Sequence, residues 1–267
     1  MLKLAVSTLT FDGFGNHNFV KTFAHAKEAG YERIEFNCWY PQTLTPENMR
    51  VLKRRCEESG FVPISLHVTA FGGGDNASLT MNVCHKIRAM EAAVELGCRR
   101  VVASCSARDT DGGLEAVIEE LRILAPVAAE LDVLLCLENH CQNVLEYAAD
   151  YRQIFQVIHT PHVGICIDTG HFDAAGVDPL AIVAEFADKI NHIHLKENDG
   201  FGAKKFCRFG TGTTDNVGVI KQLLKQGYAG YMSVELSPEI GETGAGIDFG
   251  MEDWKKPFEL FSPFEIE

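Results

Sequence analysis

The chain has 267 residues, 46% of them hydrophobic, and its 37 acidic side chains outnumber 24 basic ones to give a formal net charge of -13. That length and apolar content suffice for one substantial core, and no apolar run is long enough for a membrane span, so neither a disordered chain nor a membrane partner is expected. So acidic a surface repels a phosphate backbone, which argues against nucleic acid and for a small-molecule substrate.

The N-terminal MLKLAVSTLTFDG alternates apolar and small polar residues and lacks the charged start, long apolar run and cleavage site of a signal peptide. It reads as a first strand over residues 2–8, followed by a helix over 18–29. The same unit then recurs: strands over 33–36, 63–67, 100–104, 133–138, 163–168, 190–195 and 230–235 are separated by helical patterns over 46–59, 79–96, 114–130, 144–158, 179–186 and 216–225. A last helix and tail over 251–264 is expected to pack on the outside. Thr45-Pro46 is a helix-start signal, and Gly30, Gly60, Gly97 and Gly227 stand just past helix ends. Alternating strands and helices mean a parallel sheet. Eight units in this length predict an α/β fold of the closed (β/α)8 type, a TIM barrel, as a single domain spanning the chain. No glycine-rich dinucleotide turn follows the first strand, which argues against an open doubly wound sheet.

In such a barrel the C-terminal strand ends meet at one mouth. Four apolar runs deliver an acid or an imidazole there: Glu138 in LLCLENH, Asp168 in VGICIDTGH, His194 in INHIHLKEND and Glu235 in YMSVELSPE. Any one alone could form a salt bridge or cap the next helix. Four on four consecutive strands, the fifth to the eighth, point to a divalent cation. Three oxygen donors and one nitrogen form a hard set, suited first to Mn²⁺, with Mg²⁺, Co²⁺ and Zn²⁺ as alternatives. Cys136, the nearest sulfur in the sequence, is assigned to the strand face opposite Glu138.

The strings LENH, CIDTGH, HIHLKEND and SVEL, in this order, resemble the xylose-isomerase-like barrel superfamily of sugar isomerases and epimerases, which also contains abasic-site endonucleases. The resemblance spans essentially the whole chain, and CIDTGH followed by HIHLK is its most specific part. It implies that Glu138, Asp168, His194 and Glu235 hold one divalent metal and that Glu138 and Glu235 are acid and base on opposite faces of a ketose. It also implies that His171 and His67 contact substrate, and that an arginine near Gly210 anchors substrate hydroxyls, which suggests Arg208. The 198–212 loop, NDGFGAKKFCRFGTG, is longer than in the epimerases and leaves the role of Arg208 open. Dimers or tetramers are common in that superfamily, so the resemblance is compatible with a homo-oligomer and leaves the oligomeric state open.

Further readings come from the residues themselves. Lys196 shares the face of His194 and could reach a substrate carboxylate or hydroxyl, or remain solvated. His192, two residues before His194, is placed one layer deeper, outside the ligand set. Glu35 either orients a ligand or binds a backbone amide. Phe11, Trp39, Tyr40 and Phe71 could form an apolar lid, and Gly72-Gly73-Gly74 is either a hinge or an ordinary loop.

The chemistry that such residues serve is proton abstraction next to a carbonyl. One carboxylate takes the proton, and its return from the other face or to the next carbon gives an epimer or an isomer. A lyase that expels a β-hydroxyl, as in an inosose dehydratase, needs the same metal and base. The fourth strand ends in VVASCSA without a histidine, which argues against an abasic-site endonuclease, and charged groups at such a cost argue against a mere sugar-binding barrel. No phosphate-binding signature is present, so a free sugar or polyol is preferred to a sugar phosphate. Nine cysteines without a C-x-x-C pair read as free thiols of a cytoplasmic protein.

Overall fold

The computed structural model describes residues 1–14, 17–237 and 249–266. Eight strands close into a barrel in sequence order: β1 (Lys3–Ser7), β2 (Arg33–Asn37), β3 (Val62–Phe71), β4 (Arg100–Cys105), β5 (Leu134–Glu138), β6 (Val163–Asp168), β7 (Ile190–Leu195) and β8 (Tyr231–Val234). Every neighbouring pair is parallel, including β1 with β8. The helices are α1 (Leu9–Asp12), α2 (Val20–Ala29), α3 (Pro46–Ser59), α4 (Asn76–Leu96), α5 (Gly113–Leu131), α6 (Ala148–Val157), α7 (Thr169–Ala174), α8 (Pro179–Glu185), α9 (Asn216–Lys225) and α10 (Met251–Leu260). The (β/α)8 barrel expected from the alternation is the fold observed.

Local signals account for most boundaries. Thr45 caps α3 through Asn48 N–H, and Gly30, Gly60 and Gly97 end α2, α3 and α4 in left-handed conformations. Helix α4 begins three residues earlier than the periodicity implies, because Asp75 accepts hydrogen bonds from Ala77 and Ser78 N–H. Helix α6 begins four residues later than expected. Asp150 Oδ2 accepts from the N–H groups of Glu146 and Tyr147 and also binds Arg108, so residues 144–147 form an irregular approach.

Two apolar layers result. The main core lies between the strands and the helices, with Leu66, Leu137, Ile167 and Ile193 inaccessible to solvent. A smaller cluster, Val102, Cys136 and Cys166 with Leu134, fills the barrel lumen. Cys136 is therefore on the same face as Glu138, one layer below it, and not on the opposite face. Strand side chains repeat every second residue, so positions two apart share a side. The same rule puts Cys166 beneath Asp168.

The aromatic lid is mostly absent from the mouth. Phe11 packs in the core against Tyr31 and Trp254, and Phe71 is fully buried under the Lys86 ammonium. Of the four expected, Trp39 lines the mouth cavity, joined there by Phe14. The glycine run is pinned. Gly72 donates its N–H to Glu120 and its carbonyl accepts from Asn82. A Cβ at Gly72 would lie 2.2 Å from Ser106 Oγ, so glycine is required there for close approach as well as for its φ of 108°.

In β3, Ser65 and His67 point inward while Leu66 between them is 0% exposed in the shell under the helices. Leu66→Ala is expected to lower the unfolding free energy by about 2–5 kcal/mol, seen as a lower denaturant midpoint at unchanged slope.

Candidate metal centre

Glu138 ends β5, Asp168 ends β6, His194 stands one residue before the end of β7, and Glu235 follows β8. All four are buried, and one ligating atom from each lies within 4.8 Å of the others. His194 Nδ1 is 2.6 Å from Glu138 Oε1 and 3.4 Å from Glu235 Oε2. The mouth above them is a cavity of about 310 Å³ whose walls include Trp39, His67, His140, His171 and Lys196.

Side chains in the quoted strings hold these strand ends in place. Asn139 of LENH donates to the Asp168 carbonyl at 2.9 Å and accepts from Asp168 N–H at 2.7 Å, which extends the β5–β6 ladder by a side-chain rung. Thr169 of CIDTGH does the same for β6 and β7, accepting from Lys196 N–H at 3.0 Å and donating to Asn216 at 2.7 Å. Asp168 divides its labour: Oδ1 caps α7 through His171 N–H, and Oδ2 meets the Lys196 ammonium. Gly170 is a close-approach position, since a Cβ there would lie 2.7 Å from Lys196 Cγ.

Behind His194 stands Glu35 of β2, fully buried. Its Oε1 is 2.8 Å from His194 Nε2, its Oε2 is 2.8 Å from His192 Nε2, and Ser65 donates to it at 2.6 Å. Glu35 thus fixes the His194 ring by side-chain contact, and His192 sits one layer deeper as expected. This anchoring leaves Nδ1 as the nitrogen that faces the carboxylates.

His67 Nε2 is 3.2 Å from Glu138 Oε2. Asn37 fixes which nitrogen of His67 carries the proton. Its Oδ1 accepts from Ser7, Thr8 and Leu9 N–H, so its amide nitrogen is the group that faces His67 Nδ1 at 3.2 Å. The ring therefore accepts at Nδ1 and presents Nε2–H to Glu138.

The electrostatics are those of an excess of buried negative charge. Burial works against ionisation of Glu138, but the His67 and His194 rings outweigh it and hold its carboxyl well below the usual range. Asp168 moves the other way. Burial, with Glu235 and Glu138 nearby, outweighs the Lys196 ammonium and raises it to about 6. For His194, burial is outweighed by the Cys166 sulfur and the Glu35, Glu138 and Glu235 carboxylates, which raise its pKa well above the imidazole norm. Three carboxylates and an imidazole nitrogen that would otherwise need a proton fit a divalent cation. Cys166 Sγ also falls within 4.8 Å of ligating atoms of Glu138 and His194, so sulfur is closer to this centre than the sequence suggests.

The other expected site residues divide. Lys196 is not solvated: Nζ is 2.8 Å from Asp168 Oδ2 and 2.6 Å from Glu235 Oε1, inside the centre. His171 lies in the cavity wall between His140, at a ring separation of 3.4 Å, and Phe206, at 4.6 Å. Burial and the Lys196 charge push its pKa well down, so the ring is neutral. Arg208 is not brought to the mouth. Its guanidinium pairs with Asp253 of α10 at 2.8 Å. The long loop folds on buried Asn198, which bonds Asp173, the carbonyls of Gly200 and Ala203, and Lys205 N–H. That turn sends Phe206 inward against His171 and Arg208 outward. Asn37, Asn139 and Phe206 are contributions the sequence reading did not identify.

Two outcomes follow from this geometry. Glu35→Ala is expected to weaken divalent-metal affinity about 10–100-fold, measured by calorimetry, because His194 loses its anchor. Metal binding requires deprotonated Asp168, whose pKa is raised, so calorimetric affinity is expected to fall as pH drops through about 6 and to level off above it. In the metal-free protein the same raised pKa acts in reverse, and the stability contributed by protonated Asp168 is lost as pH rises through about 6.

The family model described as xylose isomerase-like TIM barrel matches residues 23–253. The 3-dehydro-D-guloside 4-epimerase of Escherichia coli (strain K12) is 25% identical over 245 residues, covering 83% of this chain and 88% of that one. An inosose dehydratase of Geobacillus kaustophilus (strain HTA426) is 26% identical over 144 residues, covering 48% of this chain and 47% of the relative. The crystal structure of IOLI protein with a bound zinc atom superposes with a TM-score of 0.75 at 20% identity, covering 99% of both chains. With a family match over residues 23–253, this chain belongs to the xylose isomerase-like TIM barrels.

Proposed function

We propose that the protein is a divalent-metal-dependent sugar isomerase or epimerase that moves a proton next to a carbonyl of a free sugar or polyol. The observation that carries this reading is the convergence of Glu138, Asp168, His194 and Glu235 within 4.8 Å, with Glu138 and Glu235 opening onto a cavity of about 310 Å³. Similarity over 83% of the chain to a 3-dehydro-D-guloside 4-epimerase supports it.

Glu138, Asp168, Glu235 and His194 Nδ1 would hold the metal, with Mn²⁺ as first choice for an oxygen-rich set and Zn²⁺ as the alternative, given the zinc-bound neighbour and Cys166 below. When bound, the ion supplies positive charge that polarises the substrate carbonyl. Glu138, held ionised by its imidazole neighbours, is the proton acceptor. His67 donates Nε2–H to the other Glu138 oxygen and so fixes the carboxylate plane. Glu235, on the far side of the cluster and held by Lys196, delivers a proton from the opposite face. His171, neutral and in the wall, is placed to accept from a substrate hydroxyl. The free state of all nine cysteines fits a reducing compartment, which we take to be the cytoplasm, and a homo-oligomer, with which the resemblance is compatible, belongs to the same reading. Among the described residues, no helix is long and apolar enough to cross a membrane.

A dehydratase acting on a keto-sugar or cyclitol is the second reading, favoured by one observation. Lys196 Nζ stands 2.6 Å from Glu235 at the cavity wall, where an ammonium can protonate a departing hydroxyl. The half-length similarity to inosose dehydratases agrees with it.

The deciding experiment incubates Mn²⁺-loaded protein in heavy water with a panel of ketoses, keto-glycosides and inososes. Deuterium at one carbon, with a new epimer or isomer, is the expected result, and Glu138→Gln or Glu235→Gln should reduce kcat by about 10²–10⁴-fold. An enone absorbance without any epimer assigns the dehydratase instead. Absence of both exchange and enone across the panel overturns the enzymatic reading.

A further inference from the structure

A second set of metal-binding side chains lies in the wall of the same cavity, nearer the rim. His140 and Cys141 follow β5, and His171 lies in α7 after β6. One ligating atom from each is within 4.8 Å of the others. We infer that His140, Cys141 and His171 form a separate site for a thiophilic divalent ion, Zn²⁺ in the first instance, with its remaining coordination position open to the cavity.

One of the three pairs already has the spacing of ligands around one ion. Cys141 Sγ is 3.3 Å from His171 Nδ1. A tetrahedral zinc with bonds of about 2.3 Å to sulfur and about 2.0–2.1 Å to nitrogen separates those two atoms by roughly 3.5 Å. The atoms are already nearly at that separation without an ion. Their present hydrogen bonding is weak: His171 Nδ1 is met by Cys141 N–H at 3.3 Å and by the Cys141 thiol at the same distance, both long contacts.

The frame around the three groups is rigid. Asn139, next to His140, is bonded on both sides to the Asp168 backbone, and Asp168 Oδ1 holds the His171 backbone N–H at 2.9 Å. Phe206 closes over His171 with its edge. Cys141 and His171 are buried, whereas His140 is half-buried and lines the cavity, which provides an entry path.

The donor chemistry separates this site from the strand-end centre. Two imidazoles and a thiolate select zinc-like ions, whereas three carboxylates and one imidazole favour harder ones. Binding releases the Cys141 thiol proton to solvent and leaves sulfur as a thiolate ligand. An ion held there occupies the wall beside the substrate space, so excess zinc would obstruct the reaction proposed above. That consequence alone rests on the functional reading.

The test is a metal titration of the chelator-treated full chain with Zn²⁺ against a chromophoric competitor. Wild type is expected to bind two equivalents. Cys141→Ser and His140→Ala each lose one, whereas Glu138→Gln loses the other and keeps the Cys141-dependent one, so failure of the strand-end centre and failure of this site give different stoichiometries. Co²⁺ provides a second readout: a sulfur-to-cobalt charge-transfer band in the near ultraviolet that survives Glu138→Gln and Cys166→Ala and disappears in Cys141→Ser. A single wild-type equivalent that Cys141→Ser keeps and Glu138→Gln loses, unchanged stoichiometry in Cys141→Ser, or a band that follows Cys166 overturns the site.

Discussion

Everything at the mouth depends on placing Glu35, Glu138, Asp168 and Glu235 largely out of bulk water, all buried within the ring of strands. Carboxylates removed from water are stable only when paired, protonated or bound to a cation. This chain supplies Lys196 between Asp168 and Glu235, and the His194 ring between Glu35 and Glu138, but negative charge still exceeds positive charge. The opposite pKa shifts of Glu138, lowered, and Asp168, raised, are two local outcomes of that one imbalance. A divalent ion in place of a single proton on His194 Nδ1 would reduce the imbalance.

The barrel was legible because its signals are local and repeated: apolar runs of strand length, amphipathic spacers, and glycine or Thr-Pro at helix ends. The four proposed ligands were legible for a related reason, since a polar residue closing an apolar strand stands out from its own neighbours. Arg208 was not, because its destination depends on how the 198–212 loop folds around Asn198 and on the register of α10, which carries Asp253. Neither is a property of the residues next to Arg208. Phe11 and Phe71 show the converse: an aromatic residue near a strand end can point under the helices as readily as over the mouth. Asn37 and Asn139 carry no local signal at all, because what they do is join strands that are distant or separated in sequence. The misplacement of Cys136 was avoidable, because two-residue alternation alone places it on the side of Glu138.

Rigidity at the mouth comes from polar side chains more than from the strands themselves. Asn139 and Thr169 continue the hydrogen-bond ladder beyond the last backbone rungs of β5, β6 and β7, and Asn37 links the β1 end to His67. Proton transfer between fixed groups is sensitive to small displacements, so supports of this kind have direct consequences for rate. They also explain why the LENH and CIDTGH strings carry amide and hydroxyl residues beside the acids: Asn139 and Thr169 set the positions of the strand ends that carry Glu138 and Asp168.

The two donor clusters share those supports but differ in hardness and depth. The deep one is oxygen-rich and balanced by Lys196. The shallow one has sulfur and two imidazoles, with His140 facing the cavity. Asp168 and His171 are joined by a single hydrogen bond at the N-terminus of α7, so the clusters are mechanically linked through one short helix. An ion at the shallow cluster would be held by His171, whose backbone N–H is capped by Asp168 Oδ1.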